Sequence, residues 1–232
     1  MKDFKVWVED IKPGSHVGKV FIITGAQSGT GLALLKILYP TGATIYLAGR
    51  SPAKMDQAIR DVAATSPSAA TPATLETTRL DVLWDNAGVG CPAESVTKQG
   101  LEVHVGANCV APLLSVQELL PVLCGLKSRK LVPRVNRGNP GNLHTGFYDD
   151  EPWLLMLFLK TFILYETRYG AYTMLFAGLS PLVGEGDNGA YIWPWGRIQP
   201  IARPDVLREG VGEGVRIFDL LVLHMEGKNI AG

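Results

Sequence analysis

Residues 20–31 read Val-Phe-Ile-Ile-Thr-Gly-Ala-Gln-Ser-Gly-Thr-Gly: a short apolar, β-branched run, a glycine-rich turn, then leucines at helical spacing at Leu32, Leu34, Leu35 and Leu38. Strand, turn and helix in that order aim unpaired backbone N–H groups and the positive end of a helix at one point. That makes a pocket for the pyrophosphate of a dinucleotide. The three glycines divide the work between them, with a tight turn at Gly25, close backbone approach to the ligand at Gly29, and close helix–strand contact at Gly31. The spacing is G-x-x-x-G-x-G, in place of the commoner G-x-G-x-x-G.

The rest of the chain has room for one α/β domain around this unit and is short for two, with 232 residues. Hydrophobic residues make up 47 % and charged residues 19 %, enough to fill a core. Lys+Arg and Asp+Glu balance at 22 each, so nothing favours nucleic acid as a partner. Cys91, Cys109 and Cys124 form no C-x-x-C pair and the four histidines show no ligand spacing, so no metal site is expected. The first ten residues are charged and lack an apolar signal core, which makes the cytoplasm the expected compartment.

Residues 1–17 read as a polar lead-in with a turn at Pro13-Gly14. A strand near 19–24, a helix near 31–39 stopped by Pro40-Thr41-Gly42, and a strand over 43–48 form a βαβ unit with parallel strands. Ser51-Pro52 opens a second helix running to about Val62, and 63–73 reads as a loop. The stretches 74–82 and 80–84 share one short segment for two strands, the latter ending at Asn86-Ala87-Gly88. A helix is expected over about 100–123, a strand-like piece at 132–135, and an amphipathic helix near 217–225. Trp153–Tyr165 is strongly apolar but shorter than the roughly 20 residues of a membrane span, so no transmembrane span is expected. It reads as a core helix or as a lid over an apolar pocket.

Thr24-Gly-Ala-Gln-Ser-Gly-Thr-Gly31, Leu47-Ala-Gly-Arg-Ser51, Asp85-Asn-Ala-Gly88 and Asn139-Pro-Gly141 occur in this order. The ordered set resembles the short-chain dehydrogenase/reductase family, and within it the retinol-dehydrogenase-like reductases of filamentous fungi, several of which serve secondary metabolism. The resemblance runs from about Gly18 to Pro200. It implies a Rossmann-like doubly wound parallel sheet in a single dinucleotide-binding domain over 1–232, with 146–200 as a substrate-region lid. It also implies an oxidoreductase acting on a small apolar ketone or alcohol. Thr24, Gly25, Ser28, Gly29, Thr30 and Gly31 would hold the pyrophosphate, Asn86, Ala87 and Gly88 the sheet beside the cofactor, and Thr145 the far side of the site. No acid stands at 46–51 to select NAD, and Arg50 offers a guanidinium suited to a 2′-phosphate, so NADP is preferred over NAD. Asp81 stands where either of two family aspartates aligns, one of them on the adenine side of the cofactor, and is taken as a cofactor-binding candidate. Asp85 replaces the family's first asparagine. Asn108 matches the helix asparagine that positions a water in the family's proton relay.

The family's acid–base group is a tyrosine with a lysine four residues on, sharing one helix face. None of Tyr39, Tyr46, Tyr148, Tyr165, Tyr169, Tyr172 and Tyr191 has a lysine at that offset. Only residues 125–138 separate the Asn108 helix from Asn139-Pro-Gly141, where the family carries a serine-bearing strand and the tyrosine helix. A central strand and the catalytic helix are therefore expected to be missing, leaving Asn108 as the only remnant of the relay. The family's dimer or tetramer is in doubt too, because that helix is half of its usual interface. Three readings stand: an NADP-dependent oxidoreductase with an unidentified acid, a catalytically inactive dinucleotide-binding relative, and a truncated gene product.

Overall fold

A computed structural model describes residues 11–65, 80–90, 95–124, 137–148, 152–187 and 190–199. It is an incomplete Rossmann-like doubly wound parallel fold, as expected, and its strands fall into two three-stranded sheets.

The first sheet is built on β1 (Val20–Thr24), with β2 (Thr44–Ala48) and β3 (Val82–Trp84) parallel to it on either side. Between β1 and β2 runs α1 (Gly29–Leu38), whose Leu34, Leu35 and Leu38 are buried. Pro40 and the left-handed Gly42 (φ +76°) end it. After β2 comes α2 (Pro52–Thr65), longer than the sequence implied. Its last turn is closed by Thr65, whose hydroxyl donates to the Val62 carbonyl at 2.9 Å.

Along β1 the side chains alternate. Phe21 and Ile23 are fully buried, in one cluster with the α1 leucines, Val62 of α2 and Trp84 of β3. Ile22, Tyr46 and Leu83 lie in register across the three strands on the other face and are only half-buried. The second of the two strands sought in 74–84 is β3; residues 66–79 lie outside the described set.

A single turn, Val103–Val105, and a π-helical stretch, Gly106–Val110, lead into α3 (Ala111–Cys124). Glu102 caps the turn, its carboxylate accepting from the N–H groups of His104 and Val105. The strand-like 132–135 lies outside the described residues, but directly after it β4 (Arg137–Gly138) pairs in parallel with β5 (Tyr191–Trp193). An antiparallel β6 (Arg197–Gln199) closes this second sheet. Among the described residues nothing pairs with the outer edge of β3, where the family's central strand is missing.

Two helices lie between Thr145 and β5. α4 (Trp153–Phe162) has no buried residue, so Trp153–Tyr165 is not a core helix. α5 (Thr167–Leu179) packs against α1, β3, β4 and β5 and so joins the two sheets. At that joint Trp84 Nε1 donates to the Met174 carbonyl at 2.7 Å, and a Cβ on Gly178 would stand 2.6 Å from the indole. The Trp195 N–H donates to Thr173 Oγ1 at 3.1 Å, tying the β5–β6 turn to the same helix. Sequence periodicity did not reveal α5, because apolar residues surround it on most sides and no stripe stands out. The amphipathic pattern at 217–225 falls outside the described residues.

Candidate functional site

The site gathers where β1 and β3 end. Gly25 (φ +67°) and Gly29 (φ +54°) hold left-handed backbone that a side chain would strain. Gly31 answers a different need: a Cβ there would lie 2.5 Å from the Gly25 carbonyl oxygen and 2.7 Å from Asn86 Nδ2. The helix therefore meets the turn through hydrogen alone. Ser28 precedes α1 without a side-chain cap, and uncapped N–H groups at a helix start suit an anion.

Thr24 binds β1 to the end of β3. Its hydroxyl donates to Asp85 Oδ1 at 2.8 Å and accepts from the N–H groups of Asn86 at 2.9 Å and Ala87 at 2.8 Å. Asn86 Nδ2 donates to the Thr24 carbonyl at 3.1 Å. Asp85, a departure from the family pattern, thus has a plain local role as acceptor of the Thr24 proton. Asp85 Oδ2 and Gln27 Oε1 are buried and unpartnered, both beside the turn.

Asn108 sits in the π-helical stretch and clamps the next residue of the loop from both sides. Its Oδ1 accepts from the Val89 N–H at 2.8 Å and its Nδ2 donates to the Val89 carbonyl at 3.0 Å. Both polar atoms of the amide are therefore engaged by backbone. A Cβ on Gly88 would stand 3.3 Å from Asn108 Oδ1.

Thr145 lies across the turn, 3.4 Å from where a Gly29 Cβ would be. The backbone that carries it is set by Asn139, whose Oδ1 accepts from the Gly141 N–H at 2.8 Å and whose own N–H donates to Ile192 of β5. Thr30 is buried, its methyl 2.9 Å from where a Gly170 Cβ would stand, so its side chain packs on α5 and only its backbone belongs to the turn. Arg50 is exposed just past the end of β2. Asp81 is the predicted site residue that the fold does not bring to the turn. It stands at the other end of β1, where its carboxylate takes Lys19 Nζ at 3.0 Å and the Val20 N–H at 2.9 Å.

A cleft of about 700 Å³ opens from Ser28, Gly29 and Thr145 along the outside of α1. Leu32, Ala33 and Ile37 form its apolar wall, and Lys36, His144, Arg168 and Tyr172 bring polar groups to it. Arg168 is held by Glu166 at 2.9 Å and lies 5.3 Å from the Tyr169 ring centre. Lys36 and Tyr172 come from different helices, α1 and α5, and both line this cleft, which no offset along the sequence reveals. Tyr165, Tyr169 and Trp195 stack edge to face nearby, with ring centres 5.0–6.3 Å apart.

The described residues contain no helix long and apolar enough to cross a membrane. The model of the short chain dehydrogenase family matches residues 19–132. A short-chain dehydrogenase/reductase of Pestalotiopsis fici, iacJ, is 40 % identical, with 87 % of this chain and 88 % of that protein covered. Another from Phomopsis amygdali is 31 % identical over 78 % of this chain and 80 % of its own. The first alignment runs over 284 positions against a chain of 232 residues, so it opens gaps on this chain's side. Among solved structures, L-sorbose reductase from Gluconobacter frateurii, in complex with NADPH and L-sorbose, superposes with a TM-score of 0.55 at 16 % identity, covering 78 % of this chain and 96 % of that one.

Proposed function

The chain belongs to the short-chain dehydrogenase/reductase family, and from that premise we propose that it binds NADP(H) at the Thr24–Gly31 turn without performing the family's usual carbonyl reduction. One contrast carries this reading: a fully assembled dinucleotide turn beside a missing proton donor. The turn has its strained glycines, its close contact at Gly31 and its Thr24–Asn86 bonds. Backbone N–H groups at the start of α1 suit a pyrophosphate, and Arg50 suits a 2′-phosphate at the end of β2.

When bound, the reduced nicotinamide supplies a hydride to a carbonyl carbon. The alkoxide left behind needs a proton from a protein group in hydrogen-bond reach, assistance worth about 10²–10⁴-fold. No tyrosine of the chain has a lysine four residues on. Asn108 supplies no acid, and both ends of its amide are bound to Val89.

The second reading keeps the chemistry. In it the chain is a retinol-dehydrogenase-like oxidoreductase of cytoplasmic fungal secondary metabolism, reducing a small apolar ketone or oxidising the alcohol. Two observations favour it: the fungal sources of its named relatives, and Tyr172 and Lys36 lining one cleft beside Gly29 and Thr145. Residues 146–200 would then serve as the lid. Their attachment supports this, since Tyr165 bonds through its backbone to Asn142 and His144 next to the cleft.

Titration of NADPH fluorescence tests the binding reading. We expect NADPH to bind more tightly than NADH, and Arg50→Ala to weaken NADPH about tenfold while leaving NADH unchanged, the loss of one charge-assisted contact. Equal affinity of the parent for both would remove the role given to Arg50.

A further inference from the structure

The sequence of α4, Trp-Leu-Leu-Met-Leu-Phe-Leu-Lys-Thr-Phe, runs against the usual arrangement of a surface helix. At 3.6 residues per turn, positions 153, 154, 157, 158 and 162 share one broad face. All five are large and apolar, and all are 53–75 % exposed. Met156 and Leu159, on the opposite side, are half-buried. Phe158 and Phe162 already pack on one another, with ring centres 5.2 Å apart. The helix is apolar nearly all round, with Thr161 inside this face and Lys160 at its border, and its more exposed side carries five of its large apolar residues.

We propose that this outer face of α4 is the interface of a homodimer, covered by the same face of a second copy. The area is right for it. Five such side chains leave about 700 Å² of apolar surface in water, beyond the 300–600 Å² patch of an ordinary monomer and near the roughly 800 Å² per partner of a standard interface. Leu155, also exposed and next to Phe162 around the helix, extends the patch at its edge. Charge does not oppose self-association, because the chain's net charge is zero. Charge also argues against a lipid surface as the occupant: interfacial helices carry several cations, and α4 has Lys160 alone. A two-fold pair of antiparallel α4 helices would set Leu157 and Phe158 near the axis, with Trp153 and Phe162 of opposite copies at the ends. This surface is separate from the family's usual interface helix, and the inference does not depend on cofactor binding.

Size-exclusion chromatography with light scattering on the full chain tests it. The expected mass is twice 25.1 kDa. It should fall to the single-chain value in the Phe158→Glu, Phe162→Glu double variant, with the far-ultraviolet circular dichroism spectrum retained. A parent chain that is monomeric at tens of micromolar by this assay would overturn the proposal, as would a double variant that still dimerises. Flotation of a monomeric parent with phosphatidylcholine vesicles would overturn it as well, and assign the face to lipid. A second measurement holds even if the double variant fails to fold. Leu157→Cys, in a chain with Cys91, Cys109 and Cys124 changed to Ser, should form a disulfide-linked dimer on mild oxidation, and no cross-link would count against the two-fold pairing.

Discussion

Thr24 Oγ1 engages three partners at once: the Asp85 carboxylate and the N–H groups of Asn86 and Ala87. A valine there fills the same space but leaves an oxygen of the half-buried Asp85 carboxylate and the exposed Ala87 N–H without that partner, while the Asn86 N–H keeps the Trp84 carbonyl at 3.1 Å. Each unsatisfied buried group costs about 1–3 kcal/mol. Thr24→Val should therefore lower stability by about 1–2 kcal/mol, read from urea unfolding, whereas Thr24→Ser should stay within about 0.5 kcal/mol of the parent. Equal losses in the two variants would mean that the methyl matters and the hydroxyl does not. Such residue roles were partly legible in the sequence. Gly25, Gly29 and Gly31 announced themselves by spacing, and Asn86 and Thr24 by the family pattern. Asp85 was visible only as a departure, because its partner lies 61 residues away along the chain. Asp81 misled for the converse reason: a match in sequence says nothing about which end of a strand a side chain serves. Its carboxylate holds Lys19 and the start of β1.

The helical turn that begins at Val103 depends on Glu102. Its carboxylate accepts first from the His104 N–H and then from the Val105 N–H and the His104 side chain, and these bonds pull its pKa down from 4.5 to about 2. Because the folded value lies below the unfolded one, the contribution of this cap is complete above pH 4.5 and is lost as the pH falls toward 2. A carboxyl-detected NMR titration should show Glu102 still ionised at pH 3.5, and a midpoint near 4.5 would mean that the cap does not form in solution. The turn matters because it leads into the stretch that carries Asn108. At this scale the sequence was most legible where periodicity was strong. The βαβ unit at 20–48 matches expectation to within a residue or two at its strands and at the end of its helix. The short strands β4, β5 and β6 have two or three residues each, too few for any period to emerge. α4 was read as a lid or a core helix from its apolarity and from its place after Asn139-Pro-Gly141 in the family pattern. Its exposure depends on what surrounds it, which no local pattern records.

Across the whole molecule, a central strand and the catalytic helix are among what this chain lacks beside a complete member of its family. The fold accommodates the loss by dividing its strands into two sheets and letting α5 join them through Trp84, Thr173 and Gly178. Among the described residues that division leaves the outer edge of β3 without a paired strand, and an unpaired strand edge invites association. The missing elements are also those that hold the family's serine, tyrosine and lysine, so one loss affects both packing and chemistry. The dinucleotide turn is untouched, because it is local to β1, α1 and the end of β3. Binding and catalysis are thus expected to come apart, and a single assay measures both. NADPH oxidation with a panel of apolar ketones and quinones is run on the parent, beside a Gly31→Val control whose side chain collides with Gly25 and Asn86. The account predicts that the parent binds NADPH by fluorescence, that the control does not, and that neither oxidises NADPH above background. Turnover by the parent that disappears in the control would contradict it, and loss of that turnover in Tyr172→Phe would identify the acid.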